Sequence, residues 1–207
     1  MSNPIRVMVV DDHPLIRKGV GILLSDESDM ALIAQTGDAA AALREFRAHR
    51  PDVTLIDLFL PGMSGLDLLG AIRREFPDAR IIVVTGHAGD AQVLRALRAG
   101  ARGYLLKSTL YEELPQAIRT VHAGKRSLSP EATFEIAEHV SDDPLTAAEV
   151  RILRLIADGN ANKEIAAQLN LSEPTVKGQV RSILSKLGVK DRTHAAVVAV
   201  RRGIIDL

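Results

Sequence analysis

VVDDHPLIRKGV, residues 9–20, passes from an apolar run to two acids and then into a helical pattern. The run Ile5–Val10 stops at Asp11 and Asp12, and Pro14 stands near the first position of a stretch with helical spacing near 14–25. Proline suits that position because the N–H it lacks would have no partner inside the helix. The same change of period recurs outward to residue 124. Met30–Ala34, Val53–Ile56, Ile81–Val84 and Gly103–Leu106 are further short runs, most of them rich in Val or Ile and too short for buried helices. They predict five strands. Stretches near 38–48, 65–75, 89–98 and 110–123 have helical spacing. Such alternation predicts an α/β fold, a doubly wound five-stranded parallel sheet with helices on both faces.

Open parallel sheets bind ligands beyond the carboxyl ends of their strands. Asp11 and Asp12 follow the first strand, Asp57 ends the third, Thr85 ends the fourth and Lys107 follows the fifth. Any one of them could serve only as a helix cap or loop residue. Together at one sheet edge they make a chemical set. Three neighbouring carboxylates cannot all ionise comfortably without a cation. Hard oxygen ligands of this kind suit Mg²⁺, which commonly bridges carboxylates to phosphate. Lys107 can pair with a phosphoryl oxygen and Thr85 can donate to another. Asp57 can attack phosphorus to give an acyl phosphate.

Beyond residue 124 the pattern changes. Residues 125–143 lose their periodicity and predict a linker with one short helix, started by Ser129-Pro130-Glu131 and broken at Ser141-Asp142-Asp143-Pro144. Residues 144–207 read as four helices and no strands. Thr146 and Glu149 have capping-box spacing, and the helix they open stops at Asp158-Gly159-Asn160. A short helix near 162–169 and the tight turn Asn170-Leu171-Ser172 precede a longer one from Glu173 to Leu187; a last helix covers about 192–202. On the long helix, Val176, Val180, Ile183, Leu184 and Leu187 share a face, while Thr175, Gly178, Arg181, Ser182 and Ser185 lie opposite, with Lys177 on the flank. By itself this describes a solvated surface helix. Behind a short helix and a tight turn it fits the second helix of a helix-turn-helix.

Composition narrows the classes. The 207 residues allow two modest domains, and 46% hydrophobic with 25% charged residues is ordinary for a globular chain. No stretch approaches the roughly 20 apolar residues of a membrane span. MSNPIRVMVV enters a strand pattern without a charged leader or small-residue cleavage site. There is no cysteine, which excludes disulfides and thiolate metal sites and is compatible with the cytoplasm, where we expect the protein to work. The net charge of zero conceals an asymmetry: residues 144–207 hold 10 Lys/Arg against 6 Asp/Glu, and residues 125–143 hold 2 against 5. A basic C-terminal segment suits a polyanionic partner.

With these strings in view, residues 1–124 resemble the receiver domain of bacterial two-component response regulators. VVDDHPLIRKGV, LIDLFLPGMSGLDLL, VVTGHA and GARGYLLKS are similar to the NarL/FixJ subfamily, in which a flavodoxin-like receiver precedes a LuxR-type helix-turn-helix. The resemblance implies that Asp57 is the phosphoacceptor, that Asp12 binds Mg²⁺ directly, Asp11 through water and Phe59 through its backbone carbonyl. It makes Thr85 the switch hydroxyl, Tyr104 the switch aromatic and Lys107 the phosphoryl-pairing lysine. Phe59 and His87 would flank the water that hydrolyses the phosphoryl group. Leu60 replaces the methionine common before this proline.

LTAAEVRILRLIADGNANKEIAAQLNLSEPTVKGQVRSILSKLGVKDRTHAA, from Leu145, resembles the LuxR-type domain over nearly its whole length. By that resemblance Lys177, Gly178 and Arg181 face the major groove, and Lys163, Ser172 and Thr175 approach phosphates. Gln179 stands where histidine is usual and Ala148 where arginine is usual. The last helix, apolar around more than one face from Ala195 to Val200, would close the core and by the resemblance supply the contact of a DNA-bound dimer. The family function is transcription regulation: a sensor histidine kinase as phosphodonor, double-stranded DNA as target, a homodimer when phosphorylated, RNA polymerase as a further candidate partner and no membrane. The protein would be no enzyme beyond its own phosphorylation and dephosphorylation. Gly178 and Gln179 leave an alternative open, a phosphorylation-dependent protein-interaction regulator whose helical tail lacks specific DNA readout.

Overall fold

The computed structural model describes residues 3–86, 89–139 and 143–205. Two compact units result, one from Met1–Ala88 with Val93–Phe134, the other from Gly89–Gln92 with Glu135–Leu207.

Residues 5–122 alternate β1 (Ile5–Val10), α1 (Pro14–Ser25), β2 (Met30–Thr36), α2 (Ala39–His49), β3 (Val53–Asp57), α3 (Gly65–Glu75), β4 (Ile81–Thr85), α4 (Asp90–Ala99), β5 (Gly103–Leu106) and α5 (Leu110–His122). All neighbouring strands are parallel, in the order β2-β1-β3-β4-β5 and then a short β6 (Ser127–Leu128). Both sheet faces are buried, which explains why the strand sequences show apolar runs instead of alternation. Val7, Val9, Leu55, Ile82, Val84 and Leu105 pack with Val20 and Leu24 of α1 and with Leu114, Ile118 and Val121 of α5. The intervening Met8, Val10, Ile56 and Val83 point to the other face and are equally buried. Pro14 opens α1 as expected, but its N-cap is His13, whose side chain makes no capping bond.

Two differences from the sequence expectation have local causes. β2 runs to Thr36 instead of Ala34, because Gln35 and Thr36 pair with Val9 and Val10 despite being polar. A sixth strand, β6 (Ser127–Leu128), lies parallel to Gly103–Tyr104 on the outer edge of β5, in the segment expected to be linker. Two residues are too short to show a period, so this strand left no signal in the sequence. The Ser127 and Ser129 N–H groups donate to Arg102 O and Tyr104 O at 3.0 Å, satisfying the β5 edge. The short helix expected after it is α6 (Pro130–Glu138).

The helical part of the second unit has α7 (Ala147–Ala157), α8 (Asn162–Leu169), α9 (Glu173–Lys186) and α10 (Arg192–Arg201). Thr146 and Glu149 close the expected capping box at the start of α7. Gly159, at φ +87°, takes the left-handed turn that ends it. Asn170 does the same after α8, at φ 55°. Ile152, Leu153, Ile156, Ile165, Val176, Ile183, Ala195 and Ala199 form one core, with Val180, Leu184 and Leu187 packed against it. Among the described residues no helix is long and apolar enough to cross a membrane.

Candidate functional site

The strand order gathers the ends of β1, β3, β4 and β5 at one edge. In the ladder, Asp57 stands opposite Val84 and Thr85 opposite Leu106, so Asp57, Thr85 and Lys107 belong to three adjoining strand ends. Asp11 follows β1 on the other side of β3. Asp11, Asp57 and Thr85 are almost wholly buried. Lys107 Nζ donates to Asp57 Oδ2 at 2.6 Å and lies 2.8 Å from Asp11 Oδ2. Asp11, Asp12, His13 and Asp57 each offer a ligand atom within 4.8 Å of the others.

Burial is the largest influence on Asp57 and raises its pKa; Lys107 opposes that rise and the neighbouring Asp11 adds to it. Burial also disfavours the Lys107 ammonium, but its bonds to Asp11 and Asp57 outweigh this and its pKa rises. One lysine is thus shared between two buried carboxylates, with Asp12 beside them. This is a site short of positive charge, and its three carboxylates offer oxygens that suit a hard divalent ion. Asp12 Oδ1 is closed off from solvent and accepts no well-aligned hydrogen bond, as an oxygen awaiting a cation would.

The remaining expected residues are less close-knit. Phe59 is half exposed, 51%, and its N–H donates to Asp57 Oδ1 at 3.3 Å. Tyr104 is fully buried in β5, where burial raises its phenol pKa. His87 lies outside the described residues. Sequence reasoning missed two contributors. His13 entered it only as a step into α1, although its imidazole sits among the acids, 2.7 Å from Asp12 Oδ1. Gly65 opens α3 with its N–H donating to Leu58 O at 2.9 Å; a Cβ there would stand 1.9 Å from Asp57 O. The string PGMSG hints at a turn but not at such a close backbone approach.

The helical unit exposes Lys163, Ser172, Thr175, Lys177, Gly178 and Arg181 together on α8, the turn and α9. The Ser172 hydroxyl caps α9, accepting from Thr175 N–H at 3.2 Å, and the two hydroxyls share a 2.7 Å bond. Lys177 pairs with Glu173 at 2.9 Å, one turn earlier. A Cβ at Gly178 would meet nothing within 4 Å, so the position is open. Ser182 departs from its expected outward face: it donates to Glu149 Oε1 at 2.6 Å, and Lys186 holds the other Glu149 oxygen at 3.0 Å. The buried carboxylate of α7 draws that turn of α9 inward, a long-range pairing without any local sequence signal.

Residues 7–119 match the family model for the response regulator receiver domain, and residues 143–199 match that for bacterial regulatory proteins of the luxR family. This chain belongs to the two-component response regulators with a LuxR-type DNA-binding domain. The response regulator is 40% identical over 204 residues to the nitrate/nitrite response regulator protein NarP of Escherichia coli K12, covering 95% of each chain. It is 36% identical to the transcriptional regulatory protein LiaR of Bacillus subtilis, covering 98% of this chain and all of that one. Among solved structures it resembles a two-component response regulator RcsB–DNA complex, with a TM-score of 0.76, 27% identity, and coverage of 96% and 99%.

Proposed function

We propose that the response regulator is phosphorylated on Asp57 by a sensor histidine kinase in a Mg²⁺-dependent reaction, and that this controls dimerisation and sequence-specific DNA binding. The observation that carries this reading is Lys107 shared between buried Asp57 and Asp11, beside Asp12. Asp11, Asp12, Asp57 and the carbonyl of Phe59 would hold the Mg²⁺, which when bound neutralises charge on the phosphoryl oxygens. The Asp57 carboxylate attacks phosphorus, forming the P–O bond as the bond to the donor imidazole nitrogen breaks. Lys107, released from its carboxylates, pairs with one phosphoryl oxygen, and Thr85 donates its hydroxyl to another. The buried phenol of Tyr104 follows that hydroxyl as the switch aromatic. Beyond its own phosphorylation and dephosphorylation the protein catalyses nothing.

The division of labour runs with the sequence: residues 1–124 as receiver, 125–143 as connection and 144–207 as the DNA-binding domain, working in the cytoplasm. Lys177, Gly178 and Arg181 face the major groove, and Lys163, Ser172 and Thr175 meet phosphates. Their shared exposure supports this, as does the DNA complex of the related RcsB. The test is phosphoryl transfer from a small-molecule donor in Mg²⁺, followed by gel shift on the protein's own promoter region. Wild type should take up label, dimerise and bind, and Asp57→Asn should take up none. Label without specific DNA binding would favour the protein-interaction alternative; label on Asp57→Asn would refute the site.

A further inference from the structure

His13 is tied to the first acid of the site: its N–H donates to Asp11 Oδ1 at 2.8 Å, and its ring Nδ1 stands at hydrogen-bond distance, 3.0 Å, from the same oxygen. Its side chain does not cap α1, yet Nδ1 lies 2.7 Å from Asp12 Oδ1, 3.0 Å from Asp11 Oδ1, 3.3 Å from Lys107 Nζ and 3.9 Å from Asp57 Oδ2. A single ring nitrogen carries one proton or one lone pair, so hydrogen bonding accounts for one of these neighbours and not for their convergence. Asp12 Oδ1 is the nearest of them and still receives no well-aligned hydrogen bond.

The spacings fit coordination better. Two neighbouring ligands of an octahedral ion, each about 2.1 Å from the metal, lie roughly 3 Å apart. The 2.7 Å separation of Nδ1 from Asp12 Oδ1 is close to that edge. The imidazole is also 61% exposed, so it reaches the site from the solvent side without a buried scaffold to constrain it.

We propose that His13 Nδ1 is an additional metal ligand, which makes this site prefer first-row divalent transition ions of the Ni²⁺ class to Mg²⁺. The inference rests on the reading of Asp11, Asp12 and Asp57 as a metal site. The carboxylates attract any divalent cation, whereas an imidazole nitrogen suits Ni²⁺, Fe²⁺, Cu²⁺ and Zn²⁺ and offers little to Mg²⁺. Nitrogen ligation therefore separates the two classes where charge does not.

The experiment uses the full chain without an affinity tag. Ni²⁺ binding in competition with Mg²⁺ is measured by calorimetry for wild type, His13→Ala and His13→Gln. Spin-echo resonance of Mn²⁺, displaceable by Mg²⁺, reports any directly bound ¹⁴N. Loss of the nitrogen ligand should weaken Ni²⁺ about tenfold or more in both variants, a cost of the size seen when metal-site partners are lost, and change Mg²⁺ by less than about threefold. The ¹⁴N signal should vanish with His13. Unchanged Ni²⁺ affinity in the variants, or Mg²⁺-displaceable Mn²⁺ without ¹⁴N coupling, overturns the proposal. If Asp57 still takes up label with Mg²⁺ in that case, only the role of His13 falls. If no divalent ion binds and no label appears, the reading of the whole site falls with it.

Discussion

Phe59 stands two residues beyond Asp57 with half its side chain in solvent, and under the proposed function it flanks the path of the water that hydrolyses a phosphoryl group on Asp57. A phenyl ring cannot hydrogen-bond that water, and we expect it to slow hydrolysis. Phe59→Asn should accelerate phosphoryl loss from purified protein by about the tenfold that 1.4 kcal/mol of barrier represents; an unchanged rate would mean water access is not limiting. On the DNA side, Arg181 is exposed and has no short-range carboxylate partner among the described ion pairs. Arg181→Ala should cost about 1–3 kcal/mol of binding and relax preference at one position, if it reads a base edge. Lys163→Ala should weaken all sequences alike and flatten the salt dependence, because phosphate contacts carry no sequence information. Binding-site selection with randomised duplexes at two salt concentrations separates the two outcomes.

At the level of elements, the sheet edge depends on how closely α3 approaches β3. The Asp57 carbonyl, its carbon and Leu58 Cα would all lie within 2.8 Å of a Cβ at position 65. Backbone cannot give way there as a side-chain tip could. Gly65→Ala should destabilise the receiver by about 1–3 kcal/mol, the usual cost of overpacking. It should also slow labelling of Asp57, since the shift is transmitted to the backbone of the proposed phosphoacceptor. Chemical denaturation together with labelling kinetics tests both. In the helical unit, burial works against the Glu149 carboxylate, but its bonds from Ser182, Thr146 and Lys186 prevail and lower its pKa to about 2. A pKa depressed on folding stabilises above the unfolded value near 4.5 and ceases to do so as pH falls through about 2. Glu149→Gln should therefore lower stability at pH 7, by up to roughly 3 kcal/mol. The gap to wild type should narrow steadily below about pH 5. Urea melts of the full chain across that range show it, with the receiver transition as internal reference.

Over the whole molecule, what could be read in advance was what repeats or lies close along the chain. The central strands β1, β3 and β4 announced themselves because burial on both faces requires nearly unbroken Val/Ile runs. The helix starts at Pro14 and Thr146 were legible because capping is chemistry between residues a few positions apart. Asp11, Asp57 and Lys107 could be grouped because parallel topology sends every strand end to one edge. Features resting on distant partners were hidden. β6 exists only because β5 offers an edge, Ser182 turns inward only because Glu149 is there, and the tightness at Gly65 depends on a carbonyl eight residues earlier.

The strand order β2-β1-β3-β4-β5-β6 also bears on how the chain acquires its shape. Parallel neighbours cannot be joined by hairpins; each pairing waits for an intervening helix to swing back, so chain segments far apart must meet before any contact rewards them. The helices from α7 to α10 each form through bonds between residues four apart and are joined by short turns, although α7 packs against α10 as well as against α9. Diluted from urea, the molecule should recover its output helices first and its phosphorylation site last. Pulsed hydrogen exchange during refolding would follow this, with α7–α10 amides protected before those of β3 and β4. For an interval, then, a newly refolded molecule should hold a formed DNA-binding face while remaining deaf to its signal.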